Sequence, residues 1–116
     1  MSQNLIREKS YTFAVQIIKL CKKLEETKEY VLAKQLLKAG TSIGANVEEA
    51  LAGQSRADFI SKMSIASKEA RETNYWLRLL RDSEIISLDQ VAGMLNESEE
   101  LVNILTAIVK TTSRNK

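Results

Sequence analysis

Histidine and proline are both missing from this chain, and its 116 residues include one cysteine and four glycines. Without histidine, the chain lacks the side chain that most often acts as a general base and as a zinc ligand. The single cysteine, Cys21, can form neither an internal disulfide nor a cysteine metal cluster, and we expect it in the core. We therefore expect no enzyme activity, no bound metal and no cofactor.

The composition favours a single all-α domain. Residues with high helix propensity are abundant, aromatic residues make up only 5% of the chain, and the absence of proline lets long helices run unbroken. The net charge is +2, which by itself is a weak argument for nucleic-acid binding. No secretory signal is recognisable, and no uncharged run exceeds nine residues. We expect a cytoplasmic protein that does not associate with membranes.

Four segments carry apolar residues at the three- and four-residue spacing of an amphipathic helix. This periodicity predicts helices at residues 5–26, 30–52, 56–81 and 88–110. The short connections between them predict an antiparallel up-down-up-down four-helix bundle that occupies residues 1–116 as one domain. The polar tail, residues 111–116, is expected to fray. Helices 1 and 4 are apolar over more than one face, and this surplus predicts a homo-oligomer.

Local signals mark several of the helix ends. Ser55 is a favourable N-cap for the third helix, and Ser87 with Gln90 has the spacing of a capping box for the fourth. Gly53 is expected to end the second helix in the left-handed conformation.

The second predicted helix contains two glycines, Gly40 and Gly44, although each glycine costs a helix interior about 1 kcal/mol relative to alanine. Because they are four residues apart, they lie on one helix face. We interpret them as positions where a neighbouring helix packs closely. A helix broken at Gly40 is the competing interpretation. A phosphate cradle is disfavoured, because it needs glycines in a loop before a helix.

A group of polar side chains accompanies these glycines. We predict a buried hydrogen-bond network formed by Ser42, Asn46, Glu49, Glu72 and Tyr75. One alternative is a ligand pocket lined by the same groups. A second alternative is a carboxylate-bridged metal site, but four-helix bundles build such sites from glutamates together with histidines, which this chain lacks.

Basic side chains on the first and third helices are the candidates for nucleic-acid contact. They are Lys19, Lys22, Lys23, Arg56, Lys62, Arg71, Arg78 and Arg81. The alternative is an ordinary solvated surface, since acidic residues lie between them. A modest basic patch repeated in an oligomer would nevertheless sum to a sizeable field.

Two segments of the chain resemble a known family when they are taken together. They are Gly40–Ala50, GTSIGANVEEA, and Lys68–Leu80, KEARETNYWLRLL. The chain resembles the four-helix bundle proteins first noticed as products of intervening sequences in bacterial large-subunit ribosomal RNA genes. The resemblance extends from about Tyr11 to Val109. A related protein is the accessory variability determinant of diversity-generating retroelements.

The resemblance implies a bacterial cytoplasmic four-helix bundle that assembles as a ring-shaped homopentamer, with no established catalytic activity. The retroelement protein is basic and associates with a reverse transcriptase and nucleic acid. We therefore expect a non-enzymatic homo-oligomeric scaffold, pentameric as the resemblance to these relatives implies, that binds RNA or a ribonucleoprotein partner. The alternative is a structural or protein-interaction module that binds no nucleic acid.

Overall fold

The computed structural model describes residues 2–114, and these residues form four helices joined by short turns. The helices are α1 (Ser2–Glu26), α2 (Tyr30–Leu51), α3 (Arg56–Asp82) and α4 (Leu88–Arg114). No strand occurs within this part of the chain. The predicted all-α four-helix bundle is confirmed.

Capping side chains fix the starts of two helices. The Ser55 hydroxyl accepts a hydrogen bond from the Asp58 backbone N–H at 3.0 Å, as predicted for the start of α3. The capping box before α4 is also present. The Gln90 N–H donates to the Ser87 hydroxyl at 3.3 Å, and the Ser87 N–H donates to Gln90 Oε1 at 3.2 Å.

The structure differs from the sequence expectations at one helix end and in the turns. The fourth helix is predicted to end at residue 110, but α4 continues through Arg114; residues 115–116 of the tail lie outside the described part. Gly53 is not left-handed, and no glycine in residues 2–114 has a positive φ. The left-handed positions are instead Lys28 (φ 67°) and Glu84 (φ 61°), which lie in the α1–α2 and α3–α4 turns.

Each helix packs against its neighbours in sequence, and α1 also meets α4, so that the four helices enclose one core. The close approach between α1 and α4 is much less extensive than the other three. Burial of each large side chain contributes about 1.5–3 kcal/mol. The largest fully buried ones include Phe13, Ile17, Leu36, Ile43, Met63, Leu77 and Leu101. In residues 2–114, no helix has the length and apolar character to cross a membrane.

Candidate subunit and nucleic-acid surfaces

The two helix-interior glycines of α2 face α1. A Cβ atom at Gly40 would lie 2.8 Å from both Cγ1 and Cγ2 of Ile17, which is closer than real side chains approach. At Gly44 a Cβ would lie 3.4 Å from the backbone oxygen of Ser10, which is an ordinary contact. The missing side chain at Gly40 therefore lets α1 and α2 pack closely, whereas Gly44 leaves room for a methyl group.

Cys21 lies in the same seam between α1 and α2. Its Sγ donates a weak hydrogen bond to the Ala33 carbonyl oxygen at 3.4 Å, and its side chain is buried. Burial, with a smaller contribution from the negative charge of Glu25, raises the pKa of the Cys21 thiol to about 11. The thiol is therefore protonated at neutral pH, which makes it a poor nucleophile.

The structure does not join the five predicted polar residues into one buried network. On α2, the Ser42 hydroxyl donates to the Lys38 carbonyl oxygen at 2.6 Å, and Asn46 Nδ2 donates to the Ser42 carbonyl oxygen at 2.8 Å. Both bonds return to the preceding turn of the same helix, which is a common arrangement for short polar side chains. Glu49 is exposed.

The two α3 members of that predicted network also bond or pack locally. Glu72 accepts a hydrogen bond from Trp76 Nε1 at 3.1 Å, and the Tyr75 side chain is 47% exposed. The physical reason is that each group has a partner one turn away or lies in solvent, so no interhelical bond is needed. In residues 2–114, every buried side-chain nitrogen and oxygen has a hydrogen-bond partner.

The acidic residues do not assemble a metal-binding group within the described chain. Glu69 and Glu72 lie one turn apart on α3. Burial and, secondarily, the charge of Glu72 raise the pKa of Glu69, while Lys68 and Lys38 act in the opposite direction. The lysines partly compensate the crowding of the two carboxylates.

Exposed large apolar side chains occur on both α1 and α2, among exposed charged residues such as Lys19 and Lys34. On α1, Tyr11, Val15 and Ile18 share one face, with exposed fractions of 68%, 38% and 41%. On α2, Tyr30 and Leu37 share another, with exposed fractions of 60% and 37%. The two helices that carry these rows pack side by side. We call these five residues the α1–α2 outer face.

The predicted basic contacts are spread over several surfaces. Lys19, Lys22 and Lys23 are exposed on α1, and Lys19 and Lys23 line a shallow groove that also contains Asp89. Arg56 is exposed at the start of α3. The structure therefore does not bring the eight residues into one patch.

Lys62 and Arg81 differ from the exposed lysines of α1. Lys62 is half-buried. The guanidinium of Arg81 is paired with the neighbouring Asp82 carboxylate at 2.7 Å, and that hydrogen bond lowers the pKa of Asp82. Arg81 therefore has its charge largely compensated within the chain.

Two of the predicted arginines, Arg71 and Arg78, line the same groove between α3 and α4. The groove has a volume of about 400 Å³. We call it the α3–α4 groove, and its lining consists of Arg71, Asn74, Arg78, Glu99, Val102 and Asn103. Half-buried Val102 provides apolar surface among these polar groups.

Neutral side chains hold both arginines in place. Arg71 Nη2 donates to the Thr106 hydroxyl at 3.2 Å, and Arg78 Nε donates to Asn74 Oδ1 at 2.9 Å. Asn74 is itself anchored, because its Nδ2 donates to the Ser98 hydroxyl at 2.8 Å. The Asn74 amide thereby links the buried seam to the guanidinium at the surface.

Ser98 is fully buried in the seam between α3 and α4, and its hydroxyl donates to the Leu95 carbonyl oxygen at 2.8 Å. The sequence analysis missed Ser98 and its partner Asn74. A signal was available, because Ser98 interrupts the apolar row between Leu95 and Val102. A serine at a core position needs a hydrogen-bond partner, and here the partner is Asn74.

An exposed aromatic ring lies beside the groove. The guanidinium carbon of Arg78 lies over the Tyr75 ring, 5.8 Å from its centroid. The same ring makes an edge-to-face contact with Trp76, with centroids 5.3 Å apart. Tyr75 is therefore held between two neighbours, although nearly half of its surface is accessible.

Comparison with known proteins places the chain in a family. The sequence profile described as 23S rRNA-intervening sequence protein matches residues 2–107, so the chain belongs to that family. It is similar to a crystallised protein of unknown function from the S23 ribosomal protein family of Bacteroides thetaiotaomicron. The two share 50% identity and a TM-score of 0.91, over 95% of this chain and 99% of the other. No curated protein matches the chain.

Proposed function

We propose that this member of the 23S rRNA-intervening sequence protein family is a non-enzymatic homo-oligomeric scaffold of the bacterial cytoplasm. Its proposed ligand is RNA, either free or within a ribonucleoprotein. The proposed assembly is a pentamer, as the resemblance to its relatives implies. The observation that carries the proposal is the exposed apolar α1–α2 outer face, for which a monomer has no use.

Exposed apolar side chains are normal when they are scattered, but a continuous row marks an interface. Within residues 3–114, α4 contributes only Leu88 to the exposed large apolar side chains, whereas α1 and α2 contribute most of them. The α1–α2 outer face spans residues 11–18 of α1 and 30–37 of α2, about 10 Å along each helix axis. A stable interface buries about 800 Å² on each partner, so a subunit contact there would also cover side chains that neighbour the five residues.

RNA binding is supported by the groove on the other side of the bundle. Arg71 and Arg78 are held there by a hydroxyl and an amide, and within residues 2–114 neither forms an ion pair, although Glu99 also lines the groove. Arginine is well suited to phosphate, because its planar donors bind two oxygens at once. In an oligomer the pair of arginines is repeated once per subunit.

The chemistry of the chain favours a scaffold over a catalyst. No histidine is available as a base, and the buried Cys21 thiol is protonated at neutral pH. The α3–α4 groove offers arginines and asparagines, which bind and orient a ligand, and one carboxylate, Glu99. Reactions on RNA need a positioned base or a metal, and within the described residues no acidic cluster is arranged to hold a metal ion.

Native mass spectrometry tests the assembly. We expect a species of about 65 kDa, which is five times the 13.0 kDa of one chain. Val15→Glu places a charge at the centre of the α1–α2 outer face and should shift the mass to that of the monomer. Asn96→Glu adds the same charge on exposed α4 and should leave the assembly intact. A wild-type monomer at micromolar concentration would refute the scaffold.

Titration with structured and single-stranded RNA at low salt tests the ligand. We expect binding that weakens as salt is added, because phosphate contacts release counterions. An intact oligomer that binds neither RNA would leave the alternative function, a protein-interaction module without a nucleic-acid ligand.

A further inference from the structure

We propose that the α3–α4 groove binds a single strand of RNA, with Arg71 and Arg78 on its phosphates and Tyr75 against a base. This inference rests on the proposed RNA function and assigns it to one surface. It also distinguishes Arg71 and Arg78 from the other predicted basic contacts, which do not line this groove.

The first argument is the charge that remains available in the groove. Within residues 2–114, the ion pairs formed by arginine are Arg7 with Glu48 at 2.9 Å and Arg81 with Asp82 at 2.7 Å. Arg71 and Arg78 form hydrogen bonds to Thr106 and Asn74 instead. A neutral partner orients a guanidinium without cancelling its charge, so these two arginines can accept an anion, with Glu99 of the groove and Asp82, on which Arg78 acts electrostatically, as partial counter-charges.

The second argument is the geometry of the two arginines. Residues seven apart lie on one face of a helix, and their Cα atoms are about 10 Å apart along its axis. Arg71 and Arg78 can therefore contact different phosphates of the same strand. The axes of packed helices are only about 8–10 Å apart, so the groove between their surfaces is too narrow to enclose a duplex. A single strand can lie along it.

The third argument is the aromatic side chain beside Arg78. Proteins that bind single strands combine cationic groups that follow the backbone with aromatic rings that stack on bases. Tyr75 is 47% exposed, and the Arg78 guanidinium lies over its ring. The ring and the guanidinium together present flat surfaces on which a base can stack.

Two further residues of the groove can form hydrogen bonds to a ribose, and one of them also reduces the positive charge of the groove. Asn103 provides an amide, and Glu99 provides a carboxylate acceptor. Both can bond to the ribose 2′-hydroxyl, the group that distinguishes RNA from DNA. The same carboxylate repels phosphate, so the proposal predicts that Glu99→Gln tightens binding. Glu49→Gln, on exposed α2, is the matched change of charge away from the groove.

The main test compares two double variants that lose the same charge. The probe is a fluorescent oligouridine of about 16 nucleotides, the upper site size of one single-strand-binding module. Arg71→Gln with Arg78→Gln should weaken binding roughly tenfold per arginine at low salt. The dependence of log K on log salt should fall by about 1.4, or about 0.7 per phosphate. Lys22→Gln with Lys23→Gln should change both quantities much less.

Two measurements distinguish stacking from charge and RNA from DNA. Tyr75→Leu should weaken binding, while Tyr75→Phe, which keeps the ring, should bind like the wild type. Because Trp76 is the only tryptophan and contacts Tyr75, its fluorescence should change when RNA binds. Oligothymidine of the same length should bind more weakly than oligouridine, and tighter binding of the DNA would overturn the assignment to RNA.

The outcomes separate this inference from the function on which it rests. If the wild type binds the probe and the lysine variant loses binding while the arginine variant does not, the groove is refuted and RNA binding stands. If the wild type binds no RNA, both are refuted. Thermal unfolding by circular dichroism should show that the exposed substitutions leave the bundle folded.

Discussion

The α1–α2 and α3–α4 helix pairs are two hairpins of similar size that solve the same packing problem differently. In the first pair, Gly40 removes a side chain so that Ile17 can approach the backbone. In the second, buried Ser98 and half-buried Asn74 form a hydrogen bond across the seam. Their outer surfaces also differ, since the first exposes more large apolar side chains and the second carries Arg71 and Arg78 in a groove with Glu99.

Under the proposed function, this difference corresponds to a division of roles within one small bundle. An apolar face gains free energy when it is covered by protein, whereas a charged groove keeps its hydration until an anion arrives. The proposal therefore puts the subunit contact on α1–α2 and the RNA contact on α3–α4. A substitution in one hairpin should then change stability or assembly by a different amount from a matched substitution in the other hairpin.

The largest expected effect is at the close contact in the first hairpin. Gly40→Leu should lower the free energy of unfolding by about 3 kcal/mol or more, because Ile17 is fully buried and cannot move aside. Gly93→Leu, on α4, is the control, since nothing lies within 4 Å of a Cβ at Gly93. Urea denaturation of both variants measures the difference. Equal stability would mean that the seam is not tightly packed.

A second effect depends on pH and belongs to the same seam. Because burial raises the pKa of Cys21 from 9.0 to about 11, the unfolded chain loses this proton first as pH rises. The contribution of Cys21 to stability should therefore fall between those values, by at most about 1.4 kcal/mol per pH unit.

Cys21→Ala should remove this part of the slope while lowering stability at every pH by leaving a small cavity. Urea denaturation of the wild type and the variant at neutral pH and between the two pKa values provides the test. Parallel curves across that range would show that the thiol is not buried in solution.

The third effect concerns the polar seam of the second hairpin. Ser98→Ala should lower the free energy of unfolding by about 1 kcal/mol, because Asn74 Nδ2 loses its acceptor. Ser64→Ala, at an exposed position of α3, should have little effect. Thermal and chemical denaturation of the pair would measure the difference. A neutral Ser98→Ala would indicate that water replaces the hydroxyl.

The smallest effect sharpens the comparison between the two glycines. Gly44→Ala should leave stability unchanged or raise it by up to about 1 kcal/mol, because its Cβ makes only an ordinary contact and alanine favours the helix. Gly40→Ala should have the opposite sign, since the crowding against Ile17 outweighs the gain in propensity. Chemical denaturation of both variants measures the two changes in the free energy of unfolding. Changes of the same sign would contradict the distinction between a crowded Gly40 and an open Gly44.

Part of the candidate surfaces was visible in the sequence. The spacing of apolar residues predicted all four helices, and the serine signals at Ser55 and Ser87 predicted the starts of α3 and α4. Arg71 and Arg78 were among the predicted contacts, but so were residues on other faces. The sequence could not separate Arg78 from Arg81, because only the structure shows which one has a carboxylate partner.

The polar side chains illustrate why the sequence could not predict hydrogen-bond partners. Ser42 and Asn46 were expected to bond across helices, but they bond to their own preceding turn. Conversely, Asn74 bonds to Ser98, 24 residues away, and Arg7 bonds to Glu48, 41 residues away. A partner in the same helix and a partner on another helix are both chemically suitable, and the local sequence does not indicate which of the two a side chain will bond to.

The sequence by itself determined the class of this protein, the four helices and the absence of a histidine-based chemistry. These properties follow from composition and from a period that neighbouring residues set among themselves. Only the tertiary structure decided that the Gly40 face contacts Ile17 and that Arg71 and Arg78 share a groove. Such pairings depend on the rotation and height of each helix against the next, which the packing of all four helices fixes together.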